Sequence, residues 1–137
     1  MLYQDFLKTD PTCPFCLPRL DAVLTQDNVA SLTYSLAPYH PHHLLVVPNR
    51  HVENWEELST QEEDAINYLL RKGTQVLRSL GYTDYTILVR NGEKSGKSVP
   101  HVHYHIVPVD TIGDLDHKGE ERQILTEEER IALAKVL

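Results

Sequence analysis

Three histidines at every second position, His101-Val102-His103-Tyr104-His105, constrain this chain more than any other feature of it. Side chains alternate sides along an extended strand. Period two therefore puts the three imidazoles on one face and Val102, Tyr104 and Ile106 on the other. The run reads as a strand over residues 99–109, with its apolar side turned to a core. Histidine is only intermediate in burial, and every buried ring needs hydrogen-bond partners, so three in register point to a functional surface rather than to packing. Two chemistries compete for that surface. The ring nitrogens can hold a metal that activates water, or one neutral imidazole can attack phosphorus while its neighbours orient it and donate to phosphate oxygens.

A strand of this kind needs partners and a cover. Residues 29–36 carry β-formers in partial alternation, 44–47 are an apolar run closed by Pro48, and 85–89 are a third strand. Residues 38–43 form a proline-bounded turn. Ser59 and Glu62 have capping-box spacing, and Ile66, Leu69, Leu70, Val76, Leu77 and Leu80 follow as a helical stripe that Gly81 ends. Thr126 and Glu129 repeat the capping spacing, which predicts a short helix over residues 126–137 that docks on the core or on a partner chain. Trp55 and Leu58 read as core packing or an interface. Strands, a long helix and further strands make an α+β domain with a mostly antiparallel sheet. No repeat or linker divides the chain, so residues 1–137 are expected to be one domain.

The 137 residues suit that reading, with 41% hydrophobic and 24% charged residues. No run approaches the roughly 18–20 apolar residues that cross a bilayer. The first residues lack a basic segment leading into an apolar one, so no membrane association and a cytoplasmic location are expected. A net charge of −7 argues against a surface for nucleic-acid polymers. The sign reverses locally, because Arg90, Lys94 and Lys97 face only Glu93 between Arg90 and His105.

The string from Ser98 to Pro108 resembles the signature of the histidine-triad superfamily of nucleotide hydrolases and transferases, His-φ-His-φ-His-φ-φ with φ apolar. Pro38, Pro41, His43, the run 44–48, His51, Leu58 with the helix after it, and Asn91-Gly92 resemble the upstream segments of that family in the same order. The resemblance implies a five-stranded antiparallel sheet with one long helix and short flanking helices, and a homodimer in which two sheets join. It implies that His103 attacks the α-phosphorus of a nucleotide, that His105 contacts phosphate oxygens, and that His43 positions the site or assists proton transfer. Asn91, Ser98, Lys97 and Ser35 fall at substrate-contacting positions. Lys97 stands where the family carries a neutral amide, and Ser35 where many members place an acidic or amide residue for the ribose. A metal-dependent hydrolase and a non-catalytic nucleotide-binding module remain the competing readings.

Cys13 and Cys16 are the only cysteines. Their C-x-x-C spacing fits a redox pair, a disulfide or a metal knuckle. Prolines around the pair disfavour the strand and helix that a thioredoxin-like site requires. Cys13-Pro14-Phe15-Cys16 also resembles the knuckle of zinc-bearing triad proteins. That resemblance implies a structural zinc ion held by Cys13, Cys16, His51 and His101. His40, His42 and His117 read as surface residues in loops.

Overall fold

The helix begun at Ser59 organises the molecule. The computed structural model describes residues 2–9, 13–16, 22–97, 99–109 and 123–136. Their elements run α1 (Tyr3–Thr9), β1 (Val23–Gln26), β2 (Ala30–Tyr34), β3 (Leu44–Pro48), a 3-10 turn (Trp55–Glu57), α2 (Thr60–Ser79), β4 (Tyr85–Val89), a second 3-10 turn (Glu93–Ser95), β5 (Tyr104–Pro108) and α3 (Glu127–Ala134). The capping box is complete: the Glu62 N–H donates to the Ser59 hydroxyl at 3.1 Å, and the Ser59 N–H to the Glu62 carboxylate at 2.9 Å. At the other end the Gly81 N–H donates to the Arg78 carbonyl and the Tyr82 N–H to the Leu77 carbonyl. Gly81 supports this ending at φ +92, a region that side chains disfavour.

The five strands form one antiparallel sheet in the order β1-β2-β3-β5-β4. Helix α2 covers one face through Ile66, Leu69, Gly73 and Leu77, which meet Ala30, Leu32, Leu44, Val46, Val102 and Ile106. Each large aliphatic side chain buried there contributes roughly 1.5–3 kcal/mol. The helix lies closest at Gly73, where a β-carbon would stand 2.5 Å from the Ile106 Cδ1 and 3.3 Å from the Leu32 Cδ1. Gly73 thus belongs to the buried stripe. Leu80 does not, because it caps the helix and is 47% exposed.

Several elements differ from the sequence-based expectation. The five strands are as expected, but β1 and α1 were not placed along the chain, since neither has a run of alternation or a capping pair. The turn after β1 is set by Asp27, whose carboxylate accepts the N–H groups of Val29 and Ala30 at 2.7 and 2.8 Å. The strand expected over residues 99–109 is confined to Tyr104–Pro108. Pro100 has no N–H to give to a ladder, and the His101 N–H folds back to the Val99 carbonyl at 2.9 Å. Helix α3 carries half of the expected cap, with the Glu129 N–H on the Thr126 hydroxyl, and buries none of its side chains. The docking expected of it is not seen among the described residues.

Candidate active site and metal site

The face of the sheet away from α2 carries the site. Register sets its rows: Thr33 lies across from Leu45, Leu45 across from His105, and His105 across from Leu88. His43 is two residues before Leu45 and so shares this face. The Ser35 N–H donates to the His43 carbonyl at 3.0 Å, placing Ser35 beside it. His43, Ser35, His103 and His105 line one cavity of about 260 Å³, together with Phe15, Tyr39, Leu45 and Gly96. Gln4 of α1 reaches the same cavity. Gln4 and Phe15 had no pattern in the sequence to announce them.

Hydrogen bonds decide which nitrogen of each ring carries the proton. Burial foremost, then the neighbouring His103 and His40, lowers the pKa of His43 to about 4. Burial, then His103, His43 and Arg90, lowers that of His105 to about 3. Both rings are therefore neutral near pH 7. The Tyr39 N–H donates to Nδ1 of His43 at 3.1 Å, so the proton of His43 is on Nε2. That Nε2–H donates to Nδ1 of His105 at 2.9 Å. The proton of His105 is consequently on its own Nε2. His103, which burial also keeps neutral, donates from Nδ1–H to the His101 carbonyl at 2.7 Å. Its lone pair is left on Nε2. The site thus offers one unprotonated ring nitrogen next to one N–H donor, with ring centroids 4.9 Å apart.

Aromatic contacts hold this arrangement in place. Tyr39 stacks on His43 at 5.3 Å, and His43 stacks on His105 at 5.1 Å. Phe15 lies 4.9 Å from His103 and 5.9 Å, edge-on, from His101.

His101 parts from the other two triad rings. It is fully buried, its Nε2–H donates to the Pro48 carbonyl at 2.8 Å, and its Nδ1 faces Cys13 Sγ at 3.3 Å and Cys16 Sγ at 3.6 Å. Nδ1 of His51 lies 3.0 Å from Cys16 Sγ. All four ligand atoms of Cys13, Cys16, His51 and His101 fall within 4.8 Å of one another, close enough to bind a metal ion. Zinc bonds of about 2.0–2.1 Å to nitrogen and about 2.3 Å to sulfur give tetrahedral S···N separations of about 3.6 Å. The donor chemistry fits as well. Nδ1 of His101 is unprotonated because Nε2 gives its proton to a carbonyl, the usual outer support of a metal-bound histidine. Burial, and then Cys13, raises the Cys16 thiol to about 11, so its sulfur needs a cation beside it to ionise near neutral pH.

The loop that carries His51 is tied down on three sides. Arg50 donates from Nη2 at 2.7 Å and from Nε at 3.2 Å to the buried Glu62 carboxylate. The Val102 N–H donates to the Val52 carbonyl at 2.7 Å, and the Trp55 N–H to Asn91 Oδ1 at 2.8 Å. Trp55 also donates from its indole to the Tyr104 hydroxyl, and its ring stays partly exposed. It braces the loop against β5 and is not a core residue.

The remaining sequence candidates are placed as follows. Asn91 is engaged with Trp55 and borders a neighbouring cavity, not the histidine cavity. The Lys97 ammonium donates to the Glu53 carbonyl at 3.3 Å. Ser98 and His117 lie outside the described residues. His40 and His42 are half-buried against Tyr82, with ring centroids 5.2 and 5.6 Å from it, and are not plain surface residues. No helix among the described residues is long and apolar enough to cross a membrane.

Comparison with known proteins agrees with the geometry. The HIT domain family model matches residues 19–112. A HIT-like protein of Methanocaldococcus jannaschii is 33% identical over 88 residues, 63% of this chain and 67% of that protein. The adenosine 5'-monophosphoramidase of Schizosaccharomyces pombe is 32% identical over 101 residues, 71% of this chain and 74% of that enzyme. The histidine triad nucleotide-binding protein of Candida albicans has the same fold, with a TM-score of 0.76 at 20% identity over 91% of this chain and 94% of that one. A five-stranded antiparallel sheet, three histidines in its cavity and a match over residues 19–112 lead to one conclusion: this chain belongs to the HIT domain family.

Proposed function

We propose that the chain cleaves a phosphate-ester or phosphoramidate bond at the α-phosphorus of a nucleotide, with Nε2 of His103 as the nucleophile. The bond from His103 Nδ1–H to the His101 carbonyl carries this reading, because it leaves the lone pair on the other nitrogen of a ring that lines the cavity. Attack forms an N–P bond and expels the leaving group. Water then attacks phosphorus, the N–P bond breaks back onto Nε2, and the nucleotide is released; an alcohol in place of water makes the same reaction a nucleotidyl transfer.

His105 donates its Nε2–H to a phosphate oxygen as negative charge grows there. His43 fixes the ring and tautomer of His105. Ser35, beside His43 in the cavity, faces the ribose hydroxyls, and Asn91, Lys97 and Ser98 complete the substrate contacts from the loop. Membership of the HIT family and the activity named for the fission-yeast relative support this assignment.

Zinc at Cys13, Cys16, His51 and His101 is the structural part of the proposal. Four protein ligands close a tetrahedral site and leave no position for an activated water, so the ion's contribution is to hold the knuckle against the triad segment. Two free cysteines in such a knuckle suit a reducing compartment, and the protein acts in the cytoplasm. Strand β4 ends the sheet with an open edge on which Tyr85 and Ile87 are 37% and 43% exposed, and a second copy of the chain pairs there to form a homodimer.

Rapid-quench intact mass spectrometry during turnover of adenosine monophosphoramidate tests the mechanism. The expected result is an adenylyl adduct on the peptide that contains His103. Turnover with no adduct at any quench time overturns the covalent mechanism.

A further inference from the structure

Gly96 lines two cavities. One is the histidine cavity; the other, of about 520 Å³, is bordered by Leu88, Arg90, Asn91, Lys94 and Ser95. The two meet across the backbone of one residue. Register brings the basic side of the second cavity up to the nucleophile. Leu88 lies across from His105 and Val89 across from Tyr104, the last pair of the ladder, so Arg90 leaves β4 at the end where His103 leads into β5.

The Arg90 guanidinium packs directly on the dividing wall. Its Nη1 donates to the Ser95 carbonyl at 3.2 Å and lies 2.6 Å from where a β-carbon on Gly96 would stand. Gly96 itself is at φ +90, so a side chain there is strained by conformation and would displace the end of Arg90. Among the described residues, Arg90, Lys94 and Lys97 make no ion pair with a carboxylate. In a chain of net charge −7, this cavity concentrates cations that no carboxylate among the described residues pairs with.

We propose that the second cavity receives the leaving group, and that Arg90 and Lys94 select a phosphate-bearing leaving group over an amine. The proposal rests on the reading of His103 given above. As the N–P bond to His103 forms, the bridging P–O bond breaks with its electron pair on the leaving oxygen. A phosphate departs as an anion and needs no proton, and fixed cations stabilise it as it forms. An amine needs a proton to depart and gains nothing from a neighbouring guanidinium. Water then releases the nucleoside monophosphate from His103, and its proton passes to solvent.

The experiment measures kcat/KM for diadenosine triphosphate and for adenosine monophosphoramidate on the intact protein and its variants. The ratio of the first to the second is expected to fall by about tenfold in Arg90→Met and about threefold in Lys94→Gln, with Arg90→Lys keeping more of it than Arg90→Met. Lys94 makes no hydrogen bond among the described side chains, so its variant leaves the loop's own contacts in place. Ratios within about twofold of wild type in both Arg90→Met and Lys94→Gln overturn the proposal. So does a wild-type protein that cleaves the phosphoramidate alone, while the role of His103 stands. Cleavage of neither substrate, with no adduct, overturns both.

Discussion

The carbonyl oxygen of His101 accepts the Nδ1–H of His103 at 2.7 Å, while the ring of the same His101 faces Cys13 Sγ at 3.3 Å. One residue thereby belongs to two sites: its main chain selects the tautomer of His103, the proposed nucleophile, and its side chain belongs to the four-residue cluster that could hold a metal ion. Phe15, between the two cysteines, touches both rings and adds a packing contact to the covalent link. The Cys13–Cys16 knuckle and the ring of His103 are mechanically one unit.

Removal of the His103 ring should stop the chemistry without removing the fold. His103→Ala is expected to lower kcat by at least about 10⁴-fold on any substrate the wild type turns over, because the attacking atom is gone. Circular dichroism should stay native, since the strands and α2 draw their stability from the opposite face of the sheet. Retained turnover above about a tenth of wild type would sink the assignment.

Acid should destabilise the protein through His43 and His105. Both pKa values are lower in the folded chain than the ordinary 6.5, at about 4 and about 3. The unfolded chain therefore binds more protons below pH 6.5, and stability declines as pH falls from there toward the folded values. Above that range the two rings contribute no pH dependence. Urea midpoints measured from pH 8 to pH 4 check this, and replacing His43 with Gln should flatten the curve. A midpoint that rises on acidification contradicts the neutral-ring assignment.

Metal removal should act on stability first. Purified protein is expected to hold about one zinc per chain, and Cys13→Ser should lose it and lower Tm by about 10 °C or more. Chelation should end activity only as the fold loosens, in step with Tm. Immediate loss of turnover with an unchanged Tm would instead place a metal in the chemistry.

The bidentate clamp between Arg50 and Glu62 is expected to matter more than a surface ion pair. Glu62 is 5% exposed and also caps α2. Glu62→Ala removes the carboxylate half of the capping box and leaves Arg50 with the Glu57 carbonyl; loss of the acceptor for the Ser59 N–H alone costs about 1 kcal/mol. The hydrogen bonds from Arg50, more than any other cause, hold the Glu62 carboxyl below its ordinary value. Its contribution is therefore present above pH 4.5 and disappears as pH falls through the depressed value. Urea unfolding of Glu62→Ala and Glu62→Gln at pH 7 and pH 4 reads both effects.

Helix α2 should not tolerate bulk at Gly73. Gly73→Val drives methyl groups into Ile106 and Leu32, and overpacking of this kind costs about 1–3 kcal/mol. Calorimetric Tm checks it. An unchanged value would mean that the helix can lift from the sheet without penalty.

Local pattern was enough for much of this protein. The capping pair Ser59 and Glu62, the stripe Ile66-Leu69-Leu77 and the stop at Gly81 are short-range signals, because a helix closes its hydrogen bonds within four residues. The β-formers of 29–36, the apolar runs 44–47 and 85–89 and the alternation from Val102 to Ile106 likewise marked four of the five strands, and for the last the side that faces the core. The order of Cys13, Cys16, His43, His51 and the triad, read against a known family, named the residues that later met.

Tertiary structure decided what those residues do. Period two put His101, His103 and His105 on one face only while the chain stayed extended; Pro100 ends the ladder early, so His101 turns toward the cysteines and His103 toward the cavity. The tautomers depend on the His101 carbonyl and the Tyr39 N–H, backbone groups that no side-chain pattern records. Arg90 read as one of three cations in a segment of reversed charge; the fold adds that its guanidinium packs on Gly96 beside the histidine cavity, and that α2 comes within reach of Ile106 and Leu32 at Gly73, which no pattern marked. Contacts between residues far apart in the chain are set by how strands pair and how α2 packs on them, and that is where the sequence pattern stops and the folded geometry begins.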